Sequence, residues 1–351
     1  MTNNKILIRN IYHMLSYAFQ ELKRNNYEDI EEEEFEQVFD LFAEILYRGV
    51  SMQLKQGLYR TYLERNESFS TLRGRLNING TIKNRIQHRP VLSCEYDELS
   101  VNNLFNRILK STIVLLVQSR ELQAKRKKQL RSILPFFNDI DDEDLGRVMW
   151  NSLQFQRNNR SYRMLMNICY FITEGMLMTT DSGNLRMPMF SEERMCRLFE
   201  RFVLNYYKQH YPSLSANADS IDWNFSGEVG YGKEFLPCMQ SDITLHYSDK
   251  TLVIDAKYYG KMMQTHFDKR SIYSGNMYQI YSYVKNMDRD RSGKVSGMLL
   301  YAHTEEEIEP DLDVVIDGNR FLVKTLDLNQ VFSAIRAQLN EFIEIIFNYH
   351  Y

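Results

Sequence analysis

The chain has 351 residues, 44% of them hydrophobic and 25% charged, with a formal net charge of -3, a composition that suits an ordinary globular protein of two domains. So balanced a charge gives no global attraction to a polyanion, and any nucleic-acid surface must be a local patch. The N-terminal segment lacks an apolar run with a small-residue cleavage site, no stretch approaches the roughly 18 apolar residues of a membrane span, and Cys94, Cys169, Cys196 and Cys238 form no C-x-x-C pair, so a soluble cytoplasmic protein with reduced packing cysteines is expected.

The first part of the chain reads as helical. Ile11, Met14, Leu15, Ala18 and Phe19 fall at helical spacing, and Phe35, Val38, Phe39, Phe42, Ile45 and Leu46 make a second stripe after the acidic run Glu31 to Glu34, which is placed to start that helix. Between Leu58 and Ser93 the alternation in TLRGRLNINGTI predicts a small β-element or arm, with a basic character from Arg73, Arg75, Lys83, Arg85 and Arg89. Asn102 to about Leu134 reads as a pair of helices separated near Lys125 to Lys128, an exposed corner. A further helix runs from about Arg160 to Met178. The segment TTDSGNLRMP then marks the domain boundary, dividing a mainly helical part, 1–182, from a second part, 183–351.

The second part has a different pattern. Ser191 is an N-cap for a helix carrying Met195, Leu198, Phe199, Phe202, Val203, Tyr206 and Tyr207 at i, i+3, i+4 steps until Pro212. WNFSGEVGYG, MQSDITLHY and TLVIDAKYY read as strands of a meander, with a turn at Ser248 to Lys250 and the last strand the most buried. A helix at Met277 to Asn286, strands at GMLLYAH, DLDVVID and RFLVKTLDL, and a helix from Val331 complete a mixed α/β unit.

Chemistry concentrates in this unit. Side chains two apart on a strand share a face, so Asp255 and Lys257 project together, and a hairpin brings Asp242 within a few ångströms of Asp255. Two adjacent carboxylates repel, and a hard divalent cation that takes carboxylates, waters and phosphate oxygens relieves the repulsion. Such an ion acidifies a bound water, and a lysine beside it can orient that water or stabilise a charged transition state, which are the parts that phosphodiester hydrolysis needs. Taken alone, D-x-K also describes a structural ion pair at a strand end. The run Leu252, Val253, Ile254 in front of Asp255 implies a strand buried on both faces, where an unpaired charge costs several kcal/mol as an order of magnitude, and this favours a functional reason. Glu200, beside the apolar stripe of its helix, is placed to reach the carboxylates, and Gln279 and Tyr283 share a helix face at i and i+4.

The order Glu200, Asp242, Asp255-Ala256-Lys257, Gln279 and Tyr283 resembles the PD-(D/E)xK nuclease superfamily, in its arrangement with a Q-x-x-x-Y helix. More closely, RNIYHMLSYAF, LRGRLNINGTI, NNLFNRILKST, LFERFVLNYY, FLPCMQSDITL, LVIDAKYY, NMYQIYSYV and GMLLYAH, in this order, resemble the McrC family, the nuclease subunits of McrBC-type modification-dependent restriction systems. The resemblance implies an α/β chain: a nuclease fold with a mixed central sheet flanked by helices, preceded by a mainly helical domain with a small β-element. It implies Asp242 and Asp255 as metal ligands, Glu200 as a further acidic ligand, Lys257 as the catalytic lysine, and Gln279 and Tyr283 as residues touching the lysine or substrate. The implied ion is Mg²⁺, with Mn²⁺ as a substitute, and the substrate is modified double-stranded DNA. Pro237 departs from the superfamily pattern, since Cys238, Met239, Gln240 and Ser241 separate it from Asp242.

No G-x-x-x-x-G-K-[ST] occurs, so no P-loop is expected here. The resemblance implies that a separate, McrB-like AAA+ GTPase ring, a hexamer, reads the modified base, and that residues 1–182 dock into it and stimulate GTP hydrolysis. Arg73 and Arg75 flank Gly74 in a short cationic loop that reads either as a phosphate contact or as a solvated turn. A different class of reading keeps the partner but not the chemistry, making the chain a non-catalytic activator with a vestigial site.

Overall fold

The computed structural model describes residues 2–19, 22, 27, 30, 33, 35, 37–182, 192–225, 232–258, 263–266, 269–303 and 310–348. Most of the acidic run at Glu31 to Glu34, the capping Ser191 and most of the boundary segment after Ser182 lie outside the described residues. The chain forms two compact units, Gln37–Pro188 and a second made of Met1–Glu36 with Met189–Tyr351.

In the unit Gln37–Pro188, helices α2 (Val38–Gln56), α4 (Leu104–Gln118), α5 (Ala124–Ile133) and α6 (Tyr162–Ser182) pack together. Their apolar stripes are buried: Phe39, Phe42 and Leu46 on α2, Ile108, Ile113 and Leu116 on α4, and Leu165, Ile168 and Ile172 on α6. The expected β-element is a three-stranded antiparallel sheet, order β1-β3-β2, of β1 (Thr61–Phe69), β2 (Arg75–Leu76) and β3 (Leu92–Ser100), with α3 (Ile78–Ile86) against β3. Gly80 permits that approach, because a Cβ there would stand 2.3 Å from the Ser93 hydroxyl.

The break between α4 and α5 differs from expectation. It falls at residues 119–123, where the N–H of Gln123 donates to Asp40 Oδ1 at 3.0 Å, so Lys125 to Lys128 lie inside α5. Arg126, in the middle of that basic run, is 3% exposed and pairs with the buried Glu44 of α2, which Arg48 also contacts at 2.6 Å. A polar cluster in sequence is thus divided by burial, with one member fixing α5 to α2.

The first helix does not belong to the unit that follows it in sequence, as the boundary at 182/183 had it. Helix α1 (Thr2–Ala18) packs on α7 (Glu192–His210). Asn10 donates to the carbonyls of Leu328 and Gln330 at 2.7 and 2.8 Å, His13 stacks on Phe332 at 4.0 Å, and the Tyr17 hydroxyl meets His210 Nε2 at 2.8 Å. Its stripe of Ile11, Met14 and Leu15 is buried there, so the hydrophobic face found a partner some 190 residues later in the chain.

The sheet of this unit has five strands in the order β11-β12-β10-β7-β6, formed by β6 (Ile243–Tyr247), β7 (Lys250–Lys257), β10 (Val295–His303), β11 (Leu312–Ile316) and β12 (Asn319–Asp327). It is mixed, and it is not a meander. β6 and β7 form an antiparallel hairpin turning through Ser248, which takes φ +56°. β10 runs parallel to both β7 and β12, and β11 closes the edge antiparallel to β12. Parallel neighbours need a crossover, here α8 (Ser274–Met287). Of the stretch WNFSGEVGYG, residues 223–225 are not strand and 226–231 lie outside the described residues; a short pair, β4 (Ser220–Ile221) with β5 (Met239–Gln240), stands at either side of it. A hairpin of β8 (Met263–His266) and β9 (Lys269–Ile272) precedes α8, and α9 (Phe332–Phe347) follows the sheet.

Candidate active site

Strand β7 supplies the centre. Leu252, Val253, Ile254, Asp255 and Ala256 are all fully buried, the two-faced burial expected of an internal strand. The hairpin register pairs Ile243 with Ile254, so Asp242, one residue before β6, reaches the end of β7, where its Oδ2 accepts the N–H of Ala256 at 2.8 Å. Asp255 and Lys257 share a face, and the ammonium donates to Asp255 Oδ1 at 3.0 Å. Asp255 Oδ2 lies 2.9 Å from the same nitrogen but accepts no hydrogen bond, which leaves a buried carboxylate oxygen without a fixed donor.

The electrostatics follow from that burial. Loss of water pushes the Asp255 carboxyl up to about 7, with the Lys257 ammonium opposing the rise and the Asp242 charge adding to it. Burial also raises Asp242, against the Ala256 N–H and Lys257, which hold it down. Two carboxyls so placed either share a proton or face a cation.

On the other side of Lys257, the ammonium also lies 3.4 Å from Gln279 Oε1, and Gln279 Nε2 donates to the Tyr283 hydroxyl at 2.8 Å. The i, i+4 pair read from the sequence is therefore a relay whose amide orientation is fixed: nitrogen to the phenol, oxygen to the lysine. Helix α8 lies close enough for this because of Gly297, where a Cβ would stand 2.8 Å from Val284 Cγ2 and 2.9 Å from Ile280 Cγ1.

Glu200 comes from α7, whose apolar residues Phe199 and Val203 are buried. Its carboxyl is raised, chiefly by burial and then by the charge of Asp242, so it shares the field of the pair. The thiol of Cys196, one turn earlier, lies 3.2 Å from Glu200 Oε1 and 3.5 Å from the carbonyl oxygen of Ala256. The backbone of Ala256 is thus held at both ends, its N–H on Asp242 and its carbonyl against Cys196. All four cysteines are free thiols, as expected, but Cys196 does more than pack. Its i−4 spacing from Glu200 was the available signal. Burial and the Glu200 charge push the thiol up to about 12, so it acts as a neutral donor.

All six residues singled out in the sequence, Glu200, Asp242, Asp255, Lys257, Gln279 and Tyr283, are joined in this one network. A hard oxygen-seeking ion suits the donor chemistry: Asp255 Oδ2, which accepts no hydrogen bond although the Lys257 ammonium is 2.9 Å away, and the neighbouring Asp242 carboxyl are the donor types that Mg²⁺ takes, one or two carboxylates with the rest of its shell left to water and phosphate. Among the described residues, no three or more His, Cys, Asp or Glu side chains are gathered at metal-coordinating spacing.

The cationic loop has a structural use. The Arg73 guanidinium lies over the Tyr96 ring at 4.0 Å and the Phe69 ring at 5.5 Å, and Gly74 takes φ +68° with no room for a Cβ against the Glu95 carbonyl. Arg75 is exposed and stands opposite Glu95 in the ladder. Among the described residues no helix is long and apolar enough to cross a membrane.

A family model described as "McrBC 5-methylcytosine restriction system component" matches residues 2–302. A protein of Escherichia coli (strain K12), described as "Type IV methyl-directed restriction enzyme EcoKMcrBC", is 27% identical over 340 residues, which is 95% of this chain and 96% of that protein. Among solved structures, the refined half-complex from a tetradecameric assembly of Thermococcus gammatolerans McrB AAA+ hexamers with bound McrC aligns with a TM-score of 0.54 at 18% identity, covering 97% of this chain and 76% of that chain; this likeness concerns the fold.

Proposed function

This chain belongs to the family of McrBC 5-methylcytosine restriction system components, and we propose that it is the endonuclease subunit, hydrolysing phosphodiester bonds of modified double-stranded DNA with Mg²⁺ or Mn²⁺. The observation that carries this reading is the convergence of Asp242, Asp255 and Lys257 at the end of a buried strand, with one Asp255 oxygen lacking a donor. Nothing structural requires a buried, like-charged pair at that position, and its cost is of the kind retained for chemistry.

Asp242 and Asp255 would hold the ion; Glu200, expected from the sequence as a further ligand, is not gathered with them at coordinating spacing and acts on the site through its charge. When bound, the ion acidifies a water and neutralises charge building on the phosphate. Lys257, held between Asp255 and Gln279, is placed to orient the attacking water or to stabilise charge on a phosphate oxygen. Gln279 gives the ammonium a second acceptor beside Asp255, and Tyr283 holds Gln279 with its oxygen toward the lysine. The strand behind them is rigid, so the charges are held in place before substrate arrives.

The E. coli relative is methyl-directed and the T. gammatolerans structure contains AAA+ hexamers with bound McrC. By analogy this chain assembles with an AAA+ GTPase ring that reads the modified base, and stimulates its GTP hydrolysis. Docking belongs to the unit Gln37–Pro188. Helix α3 has no buried residue, and its Ile78, Ile82 and Ile86 are 65%, 52% and 72% exposed in one i, i+4, i+8 stripe, an apolar surface suited to a protein partner.

The test compares methylated with unmethylated DNA, with and without the GTPase, for wild type and Asp255→Ala. Wild type in the complete assembly should cut methylated DNA, and the variant should stimulate GTP hydrolysis normally without cutting. Cutting at the wild-type rate by Asp255→Ala would overturn the site. Normal GTPase stimulation by a wild type that never cuts would identify a non-catalytic activator instead.

A further inference from the structure

We infer that the hydrogen bond between Asn276 and Tyr301 is the positioning element that sets Gln279 against Lys257; the inference rests on the nuclease reading above and names two residues outside the six of the candidate site.

Helix α8 starts weakly. Its N-cap, Tyr273, makes no side-chain cap, and Ser274 and Gly275 in the first turn are exposed, so local interactions do little to fix where the helix begins. Yet Gln279, in the second turn, must be placed closely, because its contact with the ammonium is 3.4 Å and a shift of a few tenths of an ångström would end it. Something other than capping holds the helix start.

Asn276 does this. It is 8% exposed, one turn before Gln279, and its Nδ2 donates at 2.9 Å to the hydroxyl of Tyr301, which is fully buried. Tyr301 stands on β10 at the register position directly opposite Lys257 on β7. The donor helix and the lysine strand are therefore referred to the same point of the sheet. Further along β10, Gly297 lies beneath Ile280 and Val284 and sets the height of the helix. The helix has one contact that fixes its height and one that fixes its sliding, and Gln279 lies between Asn276 and Ile280 in sequence. Tyr301 packs in the same apolar cluster as Ile280, Tyr283 and Val284, so its ring would stay in place if the hydroxyl were removed.

The experiment is a double-mutant cycle in the complete assembly, measuring single-turnover cleavage of methylated DNA by wild type, Tyr301→Phe, Gln279→Ala and the double variant. Tyr301→Phe should slow cleavage about tenfold at saturating DNA, as expected for a misplaced catalytic group, with half-saturating DNA unchanged. In the Gln279→Ala background the same substitution should have no further effect, because its action runs through the missing side chain. Losses that multiply, or a Tyr301→Phe enzyme as fast as wild type, would overturn the inference while leaving the nuclease reading intact. Asn276→Ala repeats the cycle from the other partner and should show the same dependence on Gln279. Failure of both variants to fold would make the pair a scaffold contact and overturn the inference too. A wild type with no Asp255-dependent cleavage would overturn the nuclease reading and this inference together.

Discussion

Asp242 accepts the N–H of Ala256 at 2.8 Å, so the first carboxylate of the site is fastened to the backbone of the residue between Asp255 and Lys257 on the neighbouring strand. The two acids cannot separate without breaking a hydrogen bond at the end of the sheet, and their mutual repulsion is built into the fold.

That repulsion has a measurable sign. Burial pushes the Asp255 carboxyl from 3.8 up to about 7, so between those values the folded chain holds a proton that the unfolded chain has lost. Stability from this group is therefore greatest at low pH, falls as pH rises through that window, and stays low above about 7. Asp255→Asn in chelator should melt at a higher temperature than wild type at pH 8, converge with it near pH 4, and lose cleavage by at least about a hundredfold. Parallel melting curves across pH 4 to 8 would show that the carboxyl is not strained.

Gly297→Val would place two methyl groups where a single Cβ already meets Val284 and Ile280 within 3 Å. Overpacking of this kind costs about 1–3 kcal/mol. The thermal midpoint should fall by several degrees, and cleavage at a temperature well below it should fall as well, since the helix is lifted from Lys257. A variant that melts lower but cuts at the wild-type rate would separate helix height from catalysis.

In the other unit, Glu44 and Arg126 are a buried ion pair, 3% and 3% exposed. Glu44 keeps Arg48 when Arg126 is removed, whereas loss of Glu44 strands the buried Arg126 guanidinium, so Glu44→Leu should cost about 3–5 kcal/mol, Arg126→Met less, and the two together should recover most of the Glu44→Leu loss. Chemical denaturation of the three variants provides the comparison, and a double variant no better than Glu44→Leu would refute it.

Asp288 closes the end of α8 by accepting from the N–H groups of Ser292 and Gly293, the Ser292 hydroxyl and Asn319 Nδ2. Burial raises its carboxyl, but these donors outweigh it and bring the value down to about 2. Its contribution is thus fully present above 3.8 and is lost as pH falls through about 2. Asp288→Ala should cost about 2–3 kcal/mol at neutral pH and shallow the acid limb of the stability curve. An unchanged acid limb would assign that limb to other carboxyls.

Much of the site could be read from the chain because its signals are local. Residues 252–257 announce a buried strand by composition, the two-residue period puts Asp255 and Lys257 on one face, a short turn brings Asp242 back alongside, and Gln279 and Tyr283 share a face at helical spacing. Nothing beyond neighbouring residues is needed for these.

What the tertiary structure alone decided depends on which surfaces bury each other. Helix α1 has the same kind of stripe as the helices after it, yet its face closes on α7, because a stripe states that it must be buried and not against what. Arg126 looks like its basic neighbours until Glu44 removes it from water. The thiol of Cys196, the peptide of Ala256 and the Asn276–Tyr301 bond became part of the site through contacts between strands and helices 25 to 60 residues apart. Periodicity fixes which way a side chain faces; only the packed sheet and its helices decide what it meets there.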